Sequence, residues 1–225
     1  MNLNKTQKAD LGWSDTGVPY AQEFGDAYFS DGDGLAETQH VFLDGNGLPG
    51  RFCDGFHIAE LGFGTGLNLL AAWKACEESG AGTRLHYTSF EAYPMTSDDM
   101  ARALQAWPEL APYASRLLTV WRAGATLETD TLHLEVILGD ARETLPMWQG
   151  QADAWFLDGF APTKNPELWS PEILRAVARH TAPNGTFATY TAAGHVRRAL
   201  QDAGFVVTRR PGFGAKRHMS TGILA

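Results

Sequence analysis

The 225 residues carry 18 Lys and Arg against 26 Asp and Glu, a formal net charge of −8, with 44% hydrophobic side chains. That length suits one α/β domain with an ordinary globular composition, and no apolar run approaches the roughly 20 residues of a membrane helix. The polar start MNLNKTQKADLGW shows no secretory signal. Cys53 and Cys76 offer neither a disulfide framework nor a zinc spacing, so plain thiols, no metal and a cytoplasmic location are expected.

Residues 28–48, YFSDGDGLAETQHVFLDGNGL, set Asp-Gly and Asn-Gly turn signals between short apolar pieces, which predicts a hairpin. Residues 1–55 therefore read as an N-terminal extension packed on a core spanning 56–225. From residue 56 onward strand-like and helical patterns alternate, as in repeated β-α units. FHIAEL (56–61) predicts the first strand and LNLLAAWKACEES (67–79) its helix. LHYTSFEA (85–92) is followed by TSDDMARALQAW, with Thr96 or Ser97 as the cap and acids in the first turn. TLHLEVILGD (131–140) leads into the short helix ARETLPMW, and ADAWFLDGF (152–160) into SPEILRAVARHTA. GTFATYTA (185–192), the helix GHVRRALQDAG, and two tail strands, FVVTRR and HMSTGIL, complete the pattern. The expected fold is α/β: a Rossmann-like, mostly parallel seven-stranded sheet with helices on both faces.

The turn from Glu60 through Gly62, Phe63, Gly64, Thr65 and Gly66 to Asn68 selects among cofactors. A triphosphate loop needs Lys followed by Ser or Thr after its last glycine, and Leu67-Asn68 stand there instead. A dinucleotide turn spaces its last glycine three positions on, whereas these glycines alternate. Glu-x-Gly-x-Gly-x-Gly resembles the first motif of Rossmann-like S-adenosylmethionine methyltransferases, where an acid suits a sulfonium and an ammonium. Glu91, 25 residues beyond Gly66, ends the second strand, where a carboxylate accepts ribose hydroxyls. Asp140 and Ala141 end the third strand in a Gly-Asp-Ala turn resembling an adenine site, where the exocyclic amine meets the carboxylate. Helix capping and a surface charge are the bland alternatives for Asp140 and Glu91.

The acceptor would meet the methyl beyond the fourth strand, in WFLDGFAPTKNPELW (155–169). Asp158 is the candidate catalytic group, Phe160 and Pro162 shape the acceptor pocket, and Lys164 and Asn165 stand at its rim. Residues 1–150 hold 9 basic and 21 acidic side chains, and residues 151–225 hold 9 and 5. The basic C-terminal third leaves a nucleic-acid partner open.

ELGFGTGLN, WFLDGFAPTKNPELW, FGDAYFS…GLAETQHVFL and GFGAKRHMSTG together resemble the methyltransferase half of the MnmC tRNA-modification family, from about residue 10 to 223. The resemblance implies S-adenosylmethionine as donor and the 5-aminomethyl group of a wobble (2-thio)uridine as acceptor. It carries the cofactor positions to Glu60, Gly62, Gly64, Gly66, Asn68, Glu91 and Asp140, and the essential acid to Asp158. Members often carry Thr where Leu61 stands. Two-domain members continue into an FAD-dependent oxidase, and no second glycine fingerprint follows residue 150. A stand-alone methyltransferase is therefore expected, its amine precursor coming from a separate FAD-dependent oxidase as partner or from a direct ammonium route. A tRNA anticodon loop would place its splayed base against Phe160, Trp169, Tyr190 or Phe213. Arg209, Arg210, Lys216, Arg217 and at most one of Arg197 and Arg198, which are adjacent on a helix, would then track its phosphates.

Three other readings compete: a small-molecule or protein N-methyltransferase, a non-catalytic binding module partnered with an oxidase, and an NAD dehydrogenase. The glycine spacing disfavours the last. His57, His86, His133, His180 and His195 show no pairing along the sequence and read as structural.

Overall fold

The computed structural model describes residues 8–121 and 126–225; residues 1–7 of the polar start lie outside them. In chain order the elements are β1 (Leu11–Trp13), β2 (Pro19–Ala21), β3 (Asp26–Ala27), α1 (Gly34–Thr38), β4 (His57–Leu61), α2 (Leu67–Glu78), β5 (Leu85–Glu91), α3 (Ser97–Leu104) and α4 (Ala111–Val120). Then come β6 (Thr126–Glu128), β7 (Leu132–Leu138), α5 (Ala141–Thr144), β8 (Ala152–Leu157), α6 (Pro171–Arg179), β9 (Thr181–Thr189), α7 (Gly194–Asp202), β10 (Phe205–Pro211) and β11 (His218–Leu224).

Among the described residues eight strands form the main sheet, in the order β10-β11-β9-β8-β4-β5-β7-β6. The five central strands run parallel, and β10, β11 and β6 add antiparallel edges. The expected seven strands are thus present with a three-residue eighth, too short to leave a periodic signal. Strands buried on both faces read as nearly continuous apolar runs, and β4 and β8 do. Ile58, Tyr87 and Phe156 face one core with Trp73 and Leu70 of α2. Ala59, Leu61, Phe90, Trp155 and Leu157 face the other with Ile173 and Val177 of α6. The chain runs from β4 outward to β5 and β7, then returns to β8 on the other side of β4. A ligand crevice belongs at that reversal, beyond the strands' carboxyl ends.

Residues 28–48 do not form the expected hairpin. Asp33 caps α1 by accepting from the Ala36 amide, helical turns continue through Asn46, and Gly47 ends them in the left-handed region at φ 70°. The Asp-Gly and Asn-Gly pairs serve here as a helix start and a helix stop, which demand the same residue types. The antiparallel pairing lies earlier, in the small sheet β1-β2-β3. α4, with Ala114 and Leu117 buried on one face and the buried Leu110 at its N-cap, occupies a stretch the alternation left unassigned.

The N-terminal segment shares the core rather than decorating it. Val41, Phe42, Leu43, Leu48 and Phe52 pack in one cluster with Ile58 and Phe156. The Asn46 amide donates to the Trp155 carbonyl, and Arg51 reaches the Asp153 carbonyl and the Thr186 hydroxyl. Among the described residues no helix is long and apolar enough to cross a membrane.

Candidate active site

The turn after β4 is held by its own backbone and by β5. Gly62 has φ +86°, and a Cβ there would stand 3.3 Å from the Asp158 carbonyl oxygen, so any other residue would be strained and would crowd the β8 backbone. The Gly64 amide donates to Glu91 Oε2 at 2.9 Å, and the Tyr93 amide donates to Glu91 Oε1 at 2.7 Å. Burial raises the Glu91 pKa while these backbone donors pull it down. One carboxylate at the tip of β5 thereby fixes two loops and keeps a lone pair on each oxygen.

Asn68, in the first turn of α2, ties three elements together. Its Nδ2 donates to Glu60 Oε1 at 2.9 Å and to Asp158 Oδ2 at 2.8 Å, and its Oδ1 accepts from the Thr38 hydroxyl at 2.8 Å. Glu60 is fully buried, accepts from Ser89 as well, and is pushed up to about 8 by burial against those two donors. Asp158 takes its second bond from the Gly159 amide at 2.8 Å. Burial pushes it up to about 6, the Gly159 and Asn68 donors oppose that, Glu37 adds to it and Lys216 reduces it. At pH 7 Asp158 is therefore the more ionised of the two.

These residues border a cleft of about 780 Å³. The glycine turn, the tips of β5, β7 and β8, and Tyr190 form one side. Residues 23–31 and the α1 region form the other. Phe160 lies stacked on Phe24 at 4.7 Å, with the edge of Tyr28 at 5.1 Å. Asp26 fastens the loop after β8, accepting from the Ala161 amide at 2.8 Å and from Lys164 Nζ at 3.0 Å. The Tyr190 hydroxyl donates to the Gly159 carbonyl at 2.7 Å. Lys216 Nζ stands 4.6 Å from the Tyr190 ring centre and 2.5 Å from Glu37 Oε1.

Of the residues singled out in the sequence, the cleft gathers Gly62, Phe63, Gly64, Thr65, Asn68, Glu91, Asp140, Ala141, Asp158, Phe160, Lys164, Asn165, Tyr190 and Lys216. Others stand elsewhere. Glu60 lies behind Asn68, shielded from the cleft and hydrogen-bonded to that amide. Gly66 packs near Leu117 and Phe63, and Pro162 is buried away from the cleft. Trp169 is only 2% exposed and donates to the Phe160 carbonyl, a buried position that denies it a stacking role. Arg197 on α7 and Arg217 beyond Lys216 stand outside the cleft. The Asp140 carboxylate caps α5 and pairs with the Arg142 guanidinium, which holds its pKa below the usual range. His57, His86 and His133, dispersed in the sequence, are register partners across β4, β5 and β7, with ring centres 5.9 and 5.4 Å apart. Among the described residues no group of three or more His, Cys, Asp or Glu is placed to hold a metal.

Sequence reasoning missed the N-terminal wall: Phe24, Asp26, Tyr28, Glu37 and Thr38. The only signal lay in FGDAYFS and GLAETQHVFL as quoted stretches, because nothing local tells which side chains of a coil face a distant strand tip.

A sequence profile described as S-adenosyl-L-methionine-dependent methyltransferase matches residues 106–225. The tRNA 5-methylaminomethyl-2-thiouridine biosynthesis bifunctional protein MnmC of Chromobacterium violaceum is 47% identical over 229 residues, taking in 96% of this chain and 34% of that protein. The protein of the same name from Pseudomonas aeruginosa is 47% identical over 232 residues, covering 98% and 36%. The chain thus spans about a third of the length of these relatives. The crystal structure of MNMC2 from Aquifex aeolicus superposes with a TM-score of 0.76 at 25% identity, covering 98% of this chain and 72% of that one. The five parallel strands and their crossover order are those of the class I methyltransferase fold expected from the sequence. The chain belongs to the S-adenosyl-L-methionine-dependent methyltransferase family.

Proposed function

We propose that the protein methylates the primary amine of a 5-aminomethyl (2-thio)uridine at the wobble position of tRNA, giving the 5-methylaminomethyl base. The observation that carries this reading is Asp158: a carboxylate fixed at the tip of β8 by Asn68 and the Gly159 amide and bordering the same cleft as the glycine turn. The names of the relatives supply the acceptor, since their product carries a methyl on an aminomethyl nitrogen.

When bound, S-adenosylmethionine would supply a methyl on a sulfonium, whose carbon a neutral nitrogen would attack in line as the C–S bond breaks and S-adenosylhomocysteine leaves as a neutral thioether. The residues present fit that donor. Glycine at position 62 leaves the floor of the turn bare where a side chain would crowd the β8 backbone. Glu91 keeps acceptor capacity for ribose hydroxyls, and Asp140 and Ala141 border the outer end of the cleft for the adenine.

An alkyl amine with a pKa near 10 is mostly protonated at pH 7, and freeing it costs about 4 kcal/mol. Asp158 accepts a hydrogen bond from that nitrogen, orients its lone pair toward the methyl and takes up its proton as it leaves. Phe160, braced by Phe24 and Tyr28, offers the base an aromatic wall. Arg197, Arg198, Arg209, Arg210 and Arg217 offer phosphate contacts outside the cleft, so tRNA binding should weaken with rising salt. An FAD-dependent oxidase, in the same or another chain, is the class of enzyme that would supply the amine, and a cytoplasmic site of action goes with a tRNA substrate.

The test is to incubate the protein with labelled donor and tRNA bearing the aminomethyl uridine, then to identify the labelled nucleoside by mass. Label on 5-methylaminomethyl uridine supports the reading. Label on another nucleoside, or only on added small amines or protein, overturns it.

A further inference from the structure

Methyl transfer as set out above makes no use of Glu37, one of several carboxylates that border the cleft. Glu37, at the end of α1, is 8% exposed and accepts from the Ser30 hydroxyl and from Lys216 Nζ. Lys216 comes from the short link between β10 and β11 on a flexible four-carbon stem, with 43% of its side chain exposed. Its ammonium sits against a buried carboxylate on one side and, at 4.6 Å, against the ring of Tyr190 on the other. The Tyr190 hydroxyl is anchored to the carbonyl beside Asp158, so this ring is fixed next to the acceptor pocket. A buried carboxylate and an aromatic face meeting at one point are the two halves of an alkylammonium site.

We infer that Glu37 and Tyr190 form a seat for a primary alkylammonium, that Lys216 occupies it as an internal placeholder in the empty enzyme, and that the acceptor's ammonium displaces Lys216 on binding. The identification of the occupant as the acceptor rests on the amine reading above; the seat itself does not. Selection follows from charge. A cation entering the seat replaces one ammonium with another and leaves no buried carboxylate unpaired, whereas a neutral group in its place strands Glu37. Uridines without the amine therefore gain nothing there. Glu37 and Tyr190 hold the arriving ammonium, whereas the neutral nitrogen that attacks the methyl, its proton given up, is the form hydrogen-bonded to Asp158.

The experiment uses the full chain with side-chain [15N]lysine NMR, the Lys216 signal being assigned by its absence in Lys216→Met. Propylammonium chloride is titrated against sodium chloride at equal ionic strength. The expected result is that propylammonium, and not sodium, moves the Lys216 signal to that of a solvated lysine. Lys216→Met should bind propylammonium at least fivefold more tightly than the parent protein, and Tyr190→Leu at least fivefold more weakly while Tyr190→Phe retains it. A Lys216 signal indifferent to propylammonium, or equal affinities in Lys216→Met and the parent, overturns the inference. Retained S-adenosylhomocysteine affinity marks each variant as folded. A second titration compares 5-aminomethyluridine with uridine: tighter binding of the former to Lys216→Met supports the acceptor as occupant. If propylammonium displaces Lys216 and 5-aminomethyluridine behaves as uridine, the seat stands and the amine-acceptor reading falls.

Discussion

The side-chain amide of Asn68 donates to Asp158 at 2.8 Å across the 90 residues that separate them, and its other hydrogen goes to Glu60. A neutral donor therefore sits between a buried acid, Glu60, and a half-buried one, Asp158. Asn68→Asp, nearly identical in shape, would put a third acceptor in that place. Unpaired buried charge costs about 3–5 kcal/mol. The loss should be largest near pH 8 and shrink toward pH 5, where the acids take up protons. Urea unfolding at the two pH values measures it; a loss independent of pH would show that the amide does not mediate between carboxyl groups.

Glu60 carries a stability consequence of definite sign. Its pKa in the folded protein, about 8, lies above its ordinary 4.5, so the folded state keeps a proton that the unfolded chain gives up. Its contribution is complete below pH 4.5 and is lost as pH rises through 8, by up to about 5 kcal/mol at 1.36 kcal/mol per unit. Glu60→Gln copies the protonated form and should flatten the stability profile between pH 5 and 8. Parallel profiles for the two proteins would rule the assignment out.

The row His57, His86 and His133 predicts the opposite trend in acid. Burial first, then His86, lowers His57 to about 4, so the folded protein prefers the neutral ring. That stabilisation is present above pH 6.5 and is lost as pH falls toward 4, by at most about 3 kcal/mol. His57→Gln should unfold less steeply with acid than the parent, as followed by circular dichroism across that range. The groups facing His57 include Asp153, whose carboxylate accepts from its backbone amide and opposes the shift.

Much of the sheet was legible because each central strand is an apolar run bounded by turn residues, and the expected strand and helix order holds from residue 56 onward. The alternating glycines and Asp158 were legible for a related reason: both sit at strand tips, where local sequence and topology coincide. The N-terminal third was misread at Asp33 and Gly47, whose residue types fit a hairpin turn and a helix end equally well. The N-terminal wall was hidden by distance. Asp26 meets Lys164 across 138 residues and Glu37 meets Lys216 across 179, and no local pattern encodes such pairings. Trp169 shows the converse, an aromatic in the right segment whose ring the fold turns inward.

A substitution at Gly62 probes the floor of the cleft. Alanine there must adopt φ +86° with its methyl 3.3 Å from the Asp158 carbonyl, at a cost of about 1–2 kcal/mol in backbone strain alone. Gly62→Ala should fold with a lowered melting temperature and lose S-adenosylhomocysteine affinity by tenfold or more in calorimetry. Unchanged affinity would place the ligand away from this turn.

The pH dependence of single-turnover methyl transfer to aminomethyl tRNA, with donor prebound, tests the role of Asp158 most directly. Asp158 must be ionised, with its pKa near 6, and the amine neutral, with its pKa near 10. The logarithm of the rate should then climb with slope two below pH 6 and slope one above it, while Asp158→Asn keeps donor affinity and shows slope one throughout at a rate at least a hundredfold lower. The same two-slope profile in Asp158→Asn, or an unaltered rate, would contradict the assignment of this carboxylate to the transfer.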